Sequence, residues 1–198
     1  MRPLRNLRGS LATAALLVIA PACGSDTTAP KPAFTVQEAT AIALSMFEEI
    51  SNAMTHSGFS ANRAPASARF TAIPFTSSET FNSPCTNGGT ISGSFTFTGD
   101  LDAQGAGTAS GTVAATPHGC RVDAGTRTIA VGGQMTYTFG MKFSQNAALD
   151  TFDWRGAGNF TWDGGNCVID YTLQFSGTGT GTGTVKGTIC GVDISQTF

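Results

Sequence analysis

Charge is scarce in this chain: Asp, Glu, Lys and Arg together make up 12% of 198 residues, and histidine occurs only twice. So few Glu, Lys and Leu residues argue against a helical bundle, while 40% hydrophobic residues argue against a disordered chain. No basic run remains beyond the first ten residues, so the phosphate-neutralising surface that nucleic-acid binding needs is missing. Catalytic fingerprints are missing too. There is no Gly-x-Ser-x-Gly, His-Glu-x-x-His, P-loop or dinucleotide motif, and neither His56 nor His118 has a second histidine at metal-ligand spacing. No cofactor is implied. The longest apolar run, Leu11 to Ile19, is about half of what spans a bilayer as a helix.

What the chain does have is glycine, 25 of them, with threonine and 14 phenylalanines in alternation, which favours a mainly β domain. The stretch from Cys167 to Cys190 shows the pattern best. Ile169, Tyr171, Leu173 and Phe175 recur with the period of two of a half-buried strand. Gly-Thr repeats then turn the chain into a second strand through Val185, Gly187 and Ile189, and a cysteine stands at each end of the hairpin.

Residues 1–22 read as an export signal. Arg2, Arg5 and Arg8 precede the apolar run, and Ala20-Pro21-Ala22 supplies small residues before Cys23. Ala-Pro-Ala-Cys followed by Gly-Ser-Asp-Thr-Thr-Ala-Pro resembles the lipobox and tether of bacterial lipoproteins, with Ala20 where leucine is usual. The resemblance covers about the first thirty residues. It implies acylation of Cys23, a flexible tether over 23–33, and, from Gly24, sorting to an outer membrane. Its partner would be the membrane, reached through a lipid anchor. Removing the signal takes the eleven basic residues to eight against thirteen acidic ones, a formal charge of −5.

The remainder, 34–198, reads as a single domain. Thr35 and Glu38 have the spacing of a capping box. Val36, Ala39, Ile42, Ala43, Met46, Phe47, Ile50 and Met54 then give one apolar stripe, so a helix is predicted over 35–56, stopped by Gly58 and docked on the sheet. A connector follows over 57–68. The β domain, 69–198, begins with an edge strand from Arg69 to Phe75. Gly107–Ala114 reads as another strand, Gly132-Gly133 as a bulge, Met135–Phe143 as the longest strand, and Asp163–Asn166 as a hairpin turn. The expectation is an antiparallel meander of seven to nine strands, closed as a barrel or folded as a sandwich, with the helix packed on it.

Outside the cytoplasm Cys85, Cys120, Cys167 and Cys190 can oxidise, and four cysteines allow three pairings. A weak internal repeat, Gly107–Val113 against Gly183–Ile189, places a cysteine before and after each copy and favours Cys85–Cys120 with Cys167–Cys190. The second pair requires a bulge near Cys190-Gly191, because Cys190 is out of step with Ile189.

Two further features suggest ligands. Thr178, Thr180, Thr182 and Thr184 would form a row of hydroxyls able to meet a regular surface such as a polysaccharide. The plainer reading is a solvent-facing row, with aromatic rings covering the alternate glycines. Asp100, Asp102 and Gln104 with Gly105 follow the start of a calcium loop, but Gly111 stands where the bidentate carboxylate belongs, so a polar hairpin turn is the plainer reading.

The functional expectation is an exported, membrane-tethered lipoprotein of the cell envelope, acting as a non-catalytic binding or structural module toward an envelope polysaccharide or protein. One alternative is a small integral outer-membrane barrel, since Phe198 after Val192 and Ile194 resembles the closing strand of such barrels. A second is an envelope hydrolase using the scattered Asp153, Asp163, Asp170 and Asp193.

Overall fold

The computed structural model describes residues 33–57, 74–145, 148–177 and 182–198. It begins with one helix, α1 (Val36–His56). The capping box forms as the spacing predicts: the Glu38 amide donates to Thr35 Oγ1 at 3.2 Å, and Glu38 Oε2 accepts from the Thr35 amide at 2.8 Å. Ala39, Ile42, Ala43, Met46, Ile50 and Met54 are buried as the stripe requires. Val36 is a correction, since it faces solvent in the first turn, and the stripe instead takes in Glu49 and Ala53.

Nine antiparallel strands in one sheet follow: β1 (Phe75–Pro84), β2 (Thr90–Leu101), β3 (Gly107–Asp123), β4 (Thr128–Gly132), β5 (Met135–Ser144), β6 (Ala148–Trp162), β7 (Gly165–Ser176), β8 (Gly183–Ile189) and β9 (Val192–Thr197). Each strand pairs with the next in a meander, except that β4 and β5 lie end to end between β3 and β6. There is no second sheet among the described residues, so the sandwich is set aside, and β1 and β9 do not pair with each other there. Helix α1 contacts β1 and β9 at the two ends of the sheet and β2, β3 and β8 between them. The sheet therefore curves around the helix, which fills its concave face.

The predicted edge strand from Arg69 falls mostly outside the described residues, as do Gly58 and most of the connector; the described strand starts at Phe75. The longest strand is β3 rather than β5. Pro117-His118-Gly119 looks like a strand end, but the chain bulges at Gly119 (φ +63°) and pairing resumes at Cys120. Pro117 lies opposite the break between β4 and β5, where a missing amide costs least.

Curvature of this degree brings inward side chains together, and glycine makes the space. On the register, Phe97, Gly111, Phe139 and Trp154 form one row across β2, β3, β5 and β6. The rings of Phe97 and Phe139 stack with centroids 5.9 Å apart above Gly111, where an added Cβ would come within 2.5 Å of the Phe139 ring. Gly156 likewise lies between Tyr137 and Tyr171. Gly183 takes the rings of Phe175 and Phe198, the arrangement expected for the glycine side of the Thr-Gly hairpin. Flat rings over bare backbone are how a chain so rich in glycine still builds a packed interior.

The disulfides are Cys85–Cys120 and Cys167–Cys190, closing loops of 35 and 23 residues. Two such bonds point to an oxidising compartment outside the cytoplasm. The bulge expected near Cys190 is a two-residue turn: Ile189 pairs with Val192, and Cys190 (φ +53°) and Gly191 (φ +78°) both take left-handed backbone. That is the geometry of a primed hairpin turn, where asparagine or glycine is usual, and here the disulfide to β7 ties the cysteine in place. No helix among the described residues is long and apolar enough to cross a membrane.

Candidate functional site

The start of α1 is fixed to the sheet by a polar and aromatic clasp. Glu38 pairs with Arg127 at 3.2 Å, Arg127 lies over the ring of Phe34, and Phe34 packs on Trp162 with centroids 5.1 Å apart. Midway along, buried Glu49 accepts the Thr86 amide at 3.1 and 3.2 Å beside the Cys85–Cys120 bond. Glu49 and the two sulfurs lie within 4.8 Å of one another, but the sulfurs are spent on each other, so the trio joins helix to turn. Tyr171 Oη donates to the Ala43 carbonyl at 3.3 Å, tying β7 to the helix.

Beyond these ties the last turns of α1 stand away from β5, β6 and β7, leaving a cavity of about 540 Å³. Strand parity and register explain its lining. Phe139 and Met141 alternate inward on β5 and face Trp154 and Phe152 on β6, and Phe152 in turn faces Phe175 on β7. The helix supplies Phe47, Ser51, Met54 and Thr55 from the opposite side, and Leu149 and Gly177 complete the wall. Phe47 meets Phe152, Trp154 and Phe175 with centroids 5.2 to 5.7 Å apart. Trp154, only 2% exposed, forms the deep end, and exposed Thr55 marks the mouth. Among the described residues every lining side chain is uncharged, and their only side-chain oxygens are the hydroxyls of Ser51 and Thr55. The Thr55 hydroxyl donates to the Ser51 carbonyl at 2.8 Å.

Next to the deep end lies a second buried polar group, made by Tyr137, Trp154 and Tyr171. Tyr137 Oη donates to the Met135 sulfur, and the buried indole N–H of Trp154 has no hydrogen-bond partner within good geometry, although the Tyr171 hydroxyl is its neighbour. Burial raises the pKa of both phenols above the ordinary tyrosine range; Tyr137 is raised further by the neighbouring Tyr171, and the nearby polar groups of Trp154 and Tyr137 offset the rise at Tyr171 only in part.

The residues singled out in the sequence are not brought together. Asp153 accepts from Gln174 Nε2 at 2.8 Å, Asp170 pairs with Arg155 at 2.8 Å, Asp193 accepts from Thr188 at 3.0 Å, and Asp163 sits in the β6–β7 turn, all four exposed. Hydrogen bonding to Arg155 holds the Asp170 carboxyl below the usual range. His118 is on the outer face near Ser92 at 3.0 Å, and His56 turns back onto the Asn52 carbonyl at 2.8 Å. Asp102 Oδ1 accepts the Gln104 and Ala106 amides at 2.9 Å, so this carboxylate closes the β2–β3 turn, with Asp100 exposed on β2. Of the threonine row, Thr182 is exposed and Thr184 half-buried, while Thr178 and Thr180 lie outside the described residues, as does Cys23.

Sequence reasoning placed Phe47 and Met54 in the core and missed the cavity. The signal was there in part, as same-parity aromatics in three consecutive strands, but which residues oppose one another depends on a register that parity alone does not supply. The chain matches no protein-family model, no curated protein and no solved structure.

Proposed function

We propose that this protein is an exported lipoprotein, held at the cell envelope through acylated Cys23 and the tether over 23–33, whose β domain is a non-catalytic binding module for a small apolar ligand. The observation that carries this reading is the cavity beside α1. Its volume falls within the roughly 300 to 1,000 Å³ of small-molecule sites, and its lining is aromatic and aliphatic with two hydroxyls. Among the described residues the site has no ionisable side chain to act as acid, base or carboxylate nucleophile. Of the four carboxylates a hydrolase would use, Asp153, Asp170 and Asp193 are engaged with separate partners on the outside, and Asp163 is exposed in the β6–β7 turn.

The integral-barrel alternative is disfavoured by the outward residues of β5, β6 and β7. Thr138, Asp153, Arg155, Thr172 and Gln174 face away from the core, where a lipid-facing band would be apolar. Val36, Val168 and Phe198 are the large apolar residues exposed among those described, and they form no belt.

Fractionation of cells making the native chain or Cys23→Ser tests the tether. The native chain is expected in the membrane fraction and the variant in the soluble exported fraction; a variant retained in the membrane would contradict the reading. Saturable binding of the neutral fluorophore N-phenyl-1-naphthylamine to the exported Cys23→Ser chain tests the module.

A further inference from the structure

We infer that the cavity selects a hydrocarbon chain whose polar end is uncharged, taken in tail first with the tail against Trp154 and the polar end at Ser51 and Thr55. The inference rests on the binding-module reading above and adds the ligand class. Three observations carry it. The site has a polarity gradient, from the buried indole of Trp154 to exposed Thr55, with the hydroxyls one helical turn apart at the open end. The walls combine rings already packed on one another, Phe139 and Phe152 each stacked on Trp154 at 6.0 and 6.1 Å, with the pliable side chains of Met54, Met141 and Leu149. Rings stacked in this way are a smooth floor for methylenes, not a cage open to a cation, and thioethers adapt to a flexible chain. Among the described residues no charged side chain lines the site, so a carboxylate or ammonium held at half-buried Ser51 would lose part of its hydration with no opposite charge beside it.

The test is displacement of bound N-phenyl-1-naphthylamine from the exported full chain carrying Cys23→Ser. The competitors are lauryl alcohol, monolaurin, laurate and lauryltrimethylammonium, which share one chain length. At least one of the two neutral competitors is expected to displace the probe at a concentration about tenfold or more below either ion, because only the ions carry an unpaired charge to the mouth. Displacement by monolaurin alone would assign the source to a lipid tail under an uncharged head, and by the alcohol alone to a free neutral molecule; either supports the inference. Leu149→Arg, at the half-buried wall, is expected to narrow or reverse the gap in favour of laurate while the near-ultraviolet circular dichroism stays native. If charged and neutral competitors displace equally, or if Leu149→Arg folds and leaves the preference unchanged, the ligand class is wrong and the binding module stands. If the folded chain does not bind the probe at all, both fall.

Discussion

Phe47 of the helix stands edge-on to Trp154 of the sheet, with ring centroids 5.2 Å apart and planes at 82°. This contact is the hinge between the packed half of the helix and the half that roofs the cavity, and Phe47 makes it while also touching Phe152 and Phe175. Phe47→Ala removes all three ring pairs from a half-buried position. A loss of about 2 to 3 kcal/mol in urea unfolding is expected, below the roughly 3 to 5 kcal/mol of a fully buried phenylalanine.

Gly156 and Gly140 form a matched pair one strand apart. A methyl on Gly156 would come within 2.6 Å of the Tyr137 ring and 2.9 Å of the Tyr171 ring, whereas one on Gly140 meets nothing within 4 Å. Gly156→Ala is expected to cost about 1 to 3 kcal/mol through forced ring movement, and Gly140→Ala to stay within roughly 0.5 kcal/mol of the parent. Equal effects at the two sites would show that ring packing over glycine does not shape the interior.

Replacing Cys85 and Cys120 together by alanine, or Cys167 and Cys190 together, opens loops of 35 and 23 residues. Chain entropy gives each bond about 3 to 4 kcal/mol, with the longer loop slightly ahead. Both double variants should therefore unfold at clearly lower urea, with the first the more affected because Cys85–Cys120 also supports the Glu49–Thr86 contact.

The only two tyrosines, Tyr137 and Tyr171, are both buried, and both have folded-state pKa values raised above the unfolded value near 10. Their neutral forms contribute fully to stability below about pH 10. That contribution is lost as pH rises from there toward the folded values, because the unfolded chain ionises first. Alkaline titration should show no tyrosinate absorbance until the near-ultraviolet circular dichroism collapses, and then the absorbance of both residues together. A phenol ionising near pH 10 in the folded protein would contradict its burial.

Local chemistry was legible where it is decided locally. Thr35 and Glu38 announce the helix start through side chains that satisfy amides within one turn, and the alternation from Ile169 to Phe175 sets which face of β7 turns inward. What depends on distant partners was hidden. Pro117 and Gly119 look like breakers, and only the gap between β4 and β5 makes them tolerable inside the longest strand. Glu49 reads as a solvent residue until Thr86 presents its amide. The cavity needs the registers of three strands and the tilt of a helix together, so no single stretch encodes it.

Trp154 offers the most direct check, because a hydrocarbon in the cavity must touch it. With Trp162→Phe leaving Trp154 as the single indole, titration of the folded exported chain with a bromine-substituted lauryl alcohol should quench its emission saturably, at one molecule per chain. Unquenched Trp154 emission in the folded protein at saturating ligand would show that no hydrocarbon sits against the deep wall.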